Sequence, residues 1–482
     1  MKVNKKILMN KINQHDLKDL KAAEELVAQD KSYRPLYHIA PPHGLLNDPN
    51  GLIYKDGYHH VHYQWSPIQP YHGMKHWYYL KTKDFVNYLD LGVSIIPEHE
   101  GEITGAFSGS AFETPKGVKI YYTGNIEDGM GNMLREVQIS ADLVDDKIVN
   151  KRIAVEHDPE LFTPHARDPK IFKYQDQIYM IFGVQCQADK LGGLALYKTE
   201  DYETFVFDRI LKPTLENQDY GYMWECPNLD LLGDQLLFMI SAEGWFNPQD
   251  EYELNNSRNV VYTAIKSLDL EHNQLGESAI MKTMDYGHDF YAPQTYWCNN
   301  KLLMIGWLGA VDVQYPTDKY SWHSMLTIPR ELSWNKNILV QRPFSEFKHN
   351  ILENSKTAEI QTLKVNKALH LEFDLNDELI IEVANAKGEK LQIEFAKTEI
   401  ILDRSKETAH PTWDFEGPRK ALRKLHQQTV EIYLDASSIE IFADNYQTIF
   451  TSRFFVENFD EITFSKATSV TVSNVKTINY QK

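Results

Sequence analysis

Cysteine is the scarcest chemistry-bearing residue of this chain. Only Cys186, Cys226 and Cys298 occur among 482 residues. Three is an odd and sparse set, which excludes a disulfide framework and fits a reducing compartment. Positive charge is also short: 50 lysines and arginines face 68 aspartates and glutamates, for a formal charge of -18. That sign argues against nucleic acid or an anionic membrane as a partner. A small phosphorylated ligand stays open, since it needs only a local basic pocket. Long apolar runs are missing, so no transmembrane helix is expected. The basic stretch Met1 to Asn10 has an apolar run of only three residues, too short for a secretory signal. A cytoplasmic protein is expected, and Lys2, Lys5, Lys6 and Lys11 read as a solvated segment.

What is present is apolar and aromatic. Hydrophobic residues make up 42% and aromatic residues 12%, enough for a large core and too much for a disordered chain. The length fits about three domains, or one large β domain with a smaller companion. Residues 1–32 read as an N-terminal helical segment. Leu17, Leu20, Ala23 and Val27 recur at helical spacing between about Asp16 and Asp30.

The next three hundred residues repeat. Short turns at Asp56-Gly57, Lys116-Gly117, Gln175-Asp176, Gly233-Asp234 and Asn299-Asn300 each precede an aromatic or aliphatic strand. They recur at intervals of 60, 59, 58 and 66 residues, each long enough for a four-stranded antiparallel blade. The spacing predicts an all-β chain whose residues 33–345 form a five-bladed β-propeller, a ring that leaves only short, protected strand edges. Beyond Arg342-Pro343, polar and apolar residues alternate, as in Leu369-His370-Leu371-Glu372-Phe373. Period-2 alternation with short turns predicts a β-sandwich over residues 346–482.

One residue lies 7 or 8 positions before each repeat turn: Asp48, Ser108, Asp168, Glu225 and Tyr291. Equivalent positions in radial repeats share a ring, so three carboxylates converge at one end of the channel. Asp48 opens two turn-forming pairs that follow each other directly, Asp48-Pro49 and Asn50-Gly51. These should hold its backbone in a tight turn. Alone, that stretch would read as an Asx turn capping its own backbone. Three acids in one site split their pKa values, because repulsion and desolvation both oppose ionisation. One ionised and one protonated carboxyl is what glycoside hydrolysis uses. Trp65, Trp77, Phe107, Tyr222, Trp224 and Trp307 offer apolar faces to sugar rings, about half of them expected to be packing only. Asn47, Gln64 and Arg167 offer contacts to hydroxyls. His60 and His62 share a strand face without a third metal ligand, and read as sheet histidines. Cys226 has no histidine pairing and does not read as a nucleophile.

In order along the chain come Leu46-Asn47-Asp48-Pro49-Asn50-Gly51, Tyr63-Gln64-Trp65, His76-Trp77, Phe107-Ser108-Gly109-Ser110, Arg167-Asp168-Pro169, Trp224-Glu225-Cys226-Pro227 and Pro329-Arg330-Glu331-Leu332. Leu402-Asp403-Arg404-Ser405 and Ser438-Ile439-Glu440-Ile441-Phe442 follow. This ordered set resembles glycoside hydrolase family 32, the β-fructofuranosidases, over nearly everything after Arg34. Leu45 and Ser321 depart from the pattern, where an aromatic residue and a glycine are common. The resemblance implies Asp48 as nucleophile, Glu225 as general acid/base and Asp168 as transition-state stabiliser, with no metal and no cofactor. It implies sugar contacts from Asn47, Gln64, Trp65, Trp77, Phe107, Ser108, Arg167 and Trp307. The expected substrate is sucrose or sucrose 6-phosphate. A fructan hydrolase or fructosyltransferase is the alternative, and a non-catalytic sugar-binding propeller the rival from another class. Lys319 and His323 lie near a motif and are cations of interest for a phosphate. Glu225 is expected to have a raised pKa and Asp48 to be ionised.

Overall fold

The computed structural model describes residues 16–128, 130–212, 221–245, 250–276, 281–412 and 417–482; the basic stretch before Asp16 lies outside them. Helix α1 (Asp16–Val27) stops short of Asp30. The Asp30 carboxylate instead accepts from the backbone N–H groups of Ser32 (3.0 Å) and Tyr33 (2.8 Å) and from the Trp322 indole (2.8 Å). A side chain that supplies turn acceptors competes with continued helix.

The rest is all-β. Sheets built on four antiparallel strands in chain order follow one another, the first and last of them with added short strands. The first holds β1 (Gly44–Lys55), β2 (Tyr58–Ser66), β3 (His76–Thr82) and β4 (Asn87–Ile95). The second holds β5 (Gly105–Thr114), β6 (Gly117–Glu127), β7 (Met133–Val144) and β8 (Lys147–Val155). The third holds β9 (Phe162–Tyr174), β10 (Gln177–Cys186), β11 (Gly192–Thr199) and β12 (Val206–Leu211). The fourth holds β13 (Met223–Leu232), β14 (Gln235–Glu243), β15 (Arg258–Ile265) and β16 (Lys282–Thr283). After β17 (Tyr291–Cys298) and β18 (Lys301–Leu308) come the short β19 (Trp322–His323) and β20 (Met325–Leu326), then β21 (Arg330–Asn335) and β22 (Ile338–Pro343). β17, β18, β21 and β22 make the last sheet of the series. The β-propeller they form is followed by a ten-stranded, sandwich-like sheet.

All five repeat turns fall between the first two strands of a sheet. Asp56 and Gly57 (φ 52° and 78°) and Asn299 and Asn300 (φ 48° and 62°) are left-handed at both central positions. Two-residue hairpins require this, and Asp, Asn and Gly tolerate it. Apolar layers fill the spaces between sheets. Trp77, Ile120 and Tyr122 join the first two, and Phe172, Ile181, Trp224 and Phe238 join the third and fourth. A larger cluster runs from Tyr63 and Leu303 to Tyr433 and Phe442, so one core spans propeller and sandwich.

The ring is stitched from both ends. β19 pairs in parallel with β1, Gly44 opposite Trp322. The last strand, Asn479–Gln481, pairs in parallel with β4 on the outer edge of the first sheet.

Candidate active site

Each innermost strand is bulged at its motif. Register shifts fall between Leu46 and Pro49, between Ala106 and Gly109, between Glu225 and Asn228, and between Tyr291 and Gln294. The matching shift in β9 spans Arg167 to Lys170. A bulge leaves a residue unpaired and re-aims its side chain. In three of these strands the residue before a proline is left-handed: Asp168 (φ 70°), Cys226 (φ 47°) and Ala292 (φ 46°). Proline disfavours the right-handed helical region for its predecessor and is tolerated in a sheet at bulges. The Asn47–Gly51 stretch is therefore a bulged strand, which corrects the expectation of a tight turn there. Asn50 explains its own place: its Oδ1 accepts from the Gly109 N–H (3.1 Å) and from Gln294 Nε2 (3.4 Å), tying three innermost strands together.

The bulges open on a cleft of about 280 Å³, lined by Asn47, Asp48, Gln64, Phe107, Arg167, Asp168, Glu225 and Trp307. His72, Lys75, Arg258 and Tyr291 share it. A larger cavity of about 460 Å³ is lined by segments two or more residues further along the same strands, including Lys170, Asp230 and Trp297. It holds none of the three convergent carboxylates.

Asp48 is held at both oxygens. Oδ1 accepts from Asn47 Nδ2 (2.9 Å) and Oδ2 from the Ser108 hydroxyl (2.5 Å). Gln64 orients both donors, giving Nε2–H to Ser108 (2.5 Å) and accepting from Asn47 (2.9 Å). Lys75 completes the chain by donating to Asn47 Oδ1 (2.8 Å). Asp168 accepts at Oδ2 from the Cys226 N–H (2.8 Å). The Cys226 sulfur lies 3.6 Å from both Asp48 Oδ2 and Asp168 Oδ2, so the thiol bridges the two acids. Glu225 accepts at Oε1 from Arg167 Nε and Nη2 (3.0 and 2.9 Å) and at Oε2 from the Tyr291 hydroxyl (2.6 Å).

Burial pushes the Asp48 and Asp168 carboxyls up, and the Glu225 charge adds to both. Burial also acts on Glu225, but Arg167 and then Arg258 outweigh it and hold that carboxyl below its ordinary value. This corrects the expected division, in which Glu225 was the raised acid. The reason is long-range: the Arg167 fork grips Glu225 from the neighbouring sheet. Burial lowers the Lys75 ammonium to about 7, against the pull of Asp48.

Two expected sugar contacts are turned away. Trp65 and Trp77 are buried in core layers, their indoles donating to the carbonyls of His43 (2.6 Å) and Phe107 (3.0 Å). Neither lines the cleft. Trp224 is core as well, and Tyr222 is exposed outside the cleft. Ser108 is buried behind Asp48 rather than facing the opening. His323 binds Asp318 (2.8 Å) and packs on Tyr315, while Lys319 sits over Tyr320, both away from the cleft lining. His60 and His62 pack on Tyr79. Among the described residues, one cluster could hold a metal: His370, Glu372 and Glu431. The Lys348 ammonium already occupies it, 2.7 Å from Glu372 and 2.8 Å from Glu431.

Sequence reasoning missed Lys75, Glu243, Arg258 and Glu136. A signal existed for Glu243: counting outward from the Gly233-Asp234 turn places it opposite Met223, two residues from Glu225.

Paired carboxyls in a cleft at one end of a propeller channel, with polar side chains around them, describe a glycoside hydrolase. Residues 38–343 match the model for the glycosyl hydrolases family 32 N-terminal domain, and residues 339–480 that for the family's C-terminal domain. The chain belongs to glycoside hydrolase family 32. A sucrose-6-phosphate hydrolase of Vibrio alginolyticus is 36% identical over 94% of this chain and 92% of its own. The solved structure of a sucrose-6-phosphate hydrolase from Lactobacillus gasseri superposes with a TM-score of 0.91 at 26% identity, covering 99% of this chain and 100% of that one. A Bombyx mori β-fructofuranosidase in complex with sucrose gives 0.82 at 26% identity, over 98% and 100%.

Proposed function

We propose that this chain is a retaining β-fructofuranosidase that cleaves the terminal fructosyl residue of sucrose or sucrose 6-phosphate. The observation that carries the reading is the joint hold on three carboxyls in one cleft, Asp48 and Asp168 across the Cys226 thiol and Glu225 on Arg167 and Tyr291. Asp48, with both oxygens directed by donors, attacks the anomeric carbon. Glu225 protonates the leaving oxygen and then takes a proton from the water that releases fructose. Asp168 accepts from fructosyl hydroxyls, in bonds that tighten as the ring flattens toward an oxocarbenium ion. Asn47, Gln64, Phe107, Arg167 and Trp307 meet the sugars directly, and Ser108 acts through Asp48. No metal or cofactor enters.

The reading extends to the architecture. Five successive sheets, each built on four antiparallel strands in chain order, with all five innermost strands lining the larger axial cavity, support five blades over residues 33–345. An N-terminal segment 1–32 and a sandwich 346–482 flank them. Three buried free thiols, Cys186, Cys226 and Cys298, support a cytoplasmic location. Among the described residues no helix is long and apolar enough to cross a membrane.

Release of fructose from sucrose tests the activity, and catalytic efficiency on sucrose, sucrose 6-phosphate and inulin tests the substrate. Equal efficiency on sucrose and its phosphate at low ionic strength would count against a dedicated phosphate site. Asp168→Asn should lower kcat more than it raises KM. A variant that turns over normally and only binds poorly would overturn its role.

A further inference from the structure

Arg167 is shared. Besides its fork to Glu225, its Nη2 lies 3.3 Å from Glu243 Oε2 and its Nη1 3.4 Å from Glu136 Oε2. Both further acids are buried, and Glu136 Oε1 has no hydrogen-bond partner among the described residues. The grip on Glu225 is at odds with its task, because an acid held ionised by an arginine cannot protonate a leaving group. Moving the guanidinium toward carboxylates already within 3.4 Å would remove that obstacle without opening the fold.

We propose that Glu243 is a positioning residue for the general acid, competing with Glu225 for Arg167 so that Glu225 can take up the proton it gives to the leaving oxygen. The inference rests on the function proposed above. The proton balance is simple. Protonated Glu243 and ionised Glu225 exchange one proton through solvent, and Arg167 shifts its hydrogen bonds to the newly ionised Glu243. Glu225 then passes the proton to the leaving oxygen and recovers one from the hydrolytic water. Glu243 is in the right state for this: burial, then the Glu225 charge, push its carboxyl up to about 7.

The groups that face Glu243 are Glu225 on β13, Arg167 on β9 and Arg258 on β15, whose Nη2 lies 2.7 Å from Glu243 Oε1. The Tyr222 side chain also reaches it. Behind these stand Tyr291 on β17, Glu136 on β7, Asp312, 3.7 Å from Arg258, and His165, which accepts from Arg167 at 3.0 Å. Burial and Arg167 hold the His165 imidazole down at about 4, so it is neutral over the working range.

Glu243→Gln cannot ionise and cannot win Arg167. The basic limb of kcat/KM on sucrose should move down by about one pH unit, with a roughly tenfold loss at pH 7 carried by kcat rather than KM. A fructoside whose leaving group needs no protonation should lose less than about threefold, because the acid is idle there. Glu243→Asp keeps the charge and should recover most of the sucrose rate. Glu136→Gln removes the other acceptor and should shift the same limb the same way by less. An unchanged limb in both Gln variants, or equal losses on the two substrates, would overturn the proposal. If Glu243→Gln does not fold, the Glu136→Gln profile decides alone. Wild-type protein that releases no fructose would instead sink the underlying function.

Discussion

Two buried charge clusters of similar size do opposite things in this molecule. At the cleft, among the described residues, Asp48, Asp168, Glu225, Glu243 and Glu136 face Arg167, Arg258 and Lys75. At the seam between propeller and sandwich, Asp285, Asp289, Asp435 and Glu440 meet Arg330, Arg404, Arg453 and His38. Among the described residues just named, the seam is charge-matched and closely bonded. Arg330 donates to Asp285 (3.1 Å) and Glu440 (2.6 Å), and Arg404 to Asp289 (2.9 Å). His38 lies 2.9 Å from Asp435 and 3.1 Å from Glu440. Burial raises the Asp435 and Glu440 carboxyls, but His38 and, for Glu440, first of all Arg330 bring both below their ordinary values. At Asp285 burial wins over Arg330. In the cleft, burial wins at every acid except Glu225. An unmatched cluster keeps carboxyls near a change of proton state, as acid–base chemistry needs. A matched one locks two domains together.

The sharpest way to break this contrast is Asp48→Asn. Its rate should fall by roughly 10⁴–10⁶-fold whatever the leaving group, since the covalent route is gone. Its melting temperature should not fall, because one repelling buried charge is removed. A large loss of stability would mean the cleft is as structural as the seam. Glu225→Gln should slow sucrose cleavage by roughly 10²–10⁴-fold and recover on a fructoside whose leaving group needs no protonation. Recovery in the Asp48 variant instead would reverse the two roles.

The seam should answer the other way. Arg330→Met strands Asp285 and Glu440 and should cost about 3–5 kcal/mol in urea unfolding, with kcat per folded molecule little changed. The smallest effect concerns pH. Burial pulls the His38 imidazole down, but its bonds to Asp435 and Glu440 more than compensate and raise it to about 9. The folded state therefore holds a proton that the unfolded chain releases near its ordinary value of 6.5. The stabilisation is complete below that value and is lost as pH rises through about 9. Unfolding free energy should decline by up to about 3 kcal/mol across this window, and His38→Gln should flatten the decline. An equal slope in the variant would remove His38 from the account.

Much of the fold was legible because its signals are local. Asp-Gly and Asn-Asn turns declare themselves through the left-handed backbone they tolerate, and all five fell where the repeat placed them. The ring of motif residues followed from those turns. What stayed hidden depends on partners far away in sequence. Trp65 and Trp77 sit beside motif residues, yet sheet stacking turns both inward. The bulges break strand alternation, so Asp48-Pro49-Asn50-Gly51 imitates a turn. Arg167 was legible as a cleft residue, but its grip on Glu225 arises only when neighbouring sheets meet. Arg330, Arg404 and Glu440, visible as motifs, had no stated task until the seam gave them one.

The strand Asn479–Gln481, paired with β4, has a consequence for how the molecule is made. Its partner Asn87 emerges from the ribosome nearly four hundred residues earlier. At about 5–20 residues per second, the β4 edge stays unpaired for tens of seconds during synthesis. An open edge of that kind invites pairing with other chains. A chain ended after Ile478 should aggregate more during refolding, as light scattering would show; equal scattering would mean that something else guards the edge. Residues 479–481 are thus a latch on the first blade, whose outer edge cannot close until they have been made.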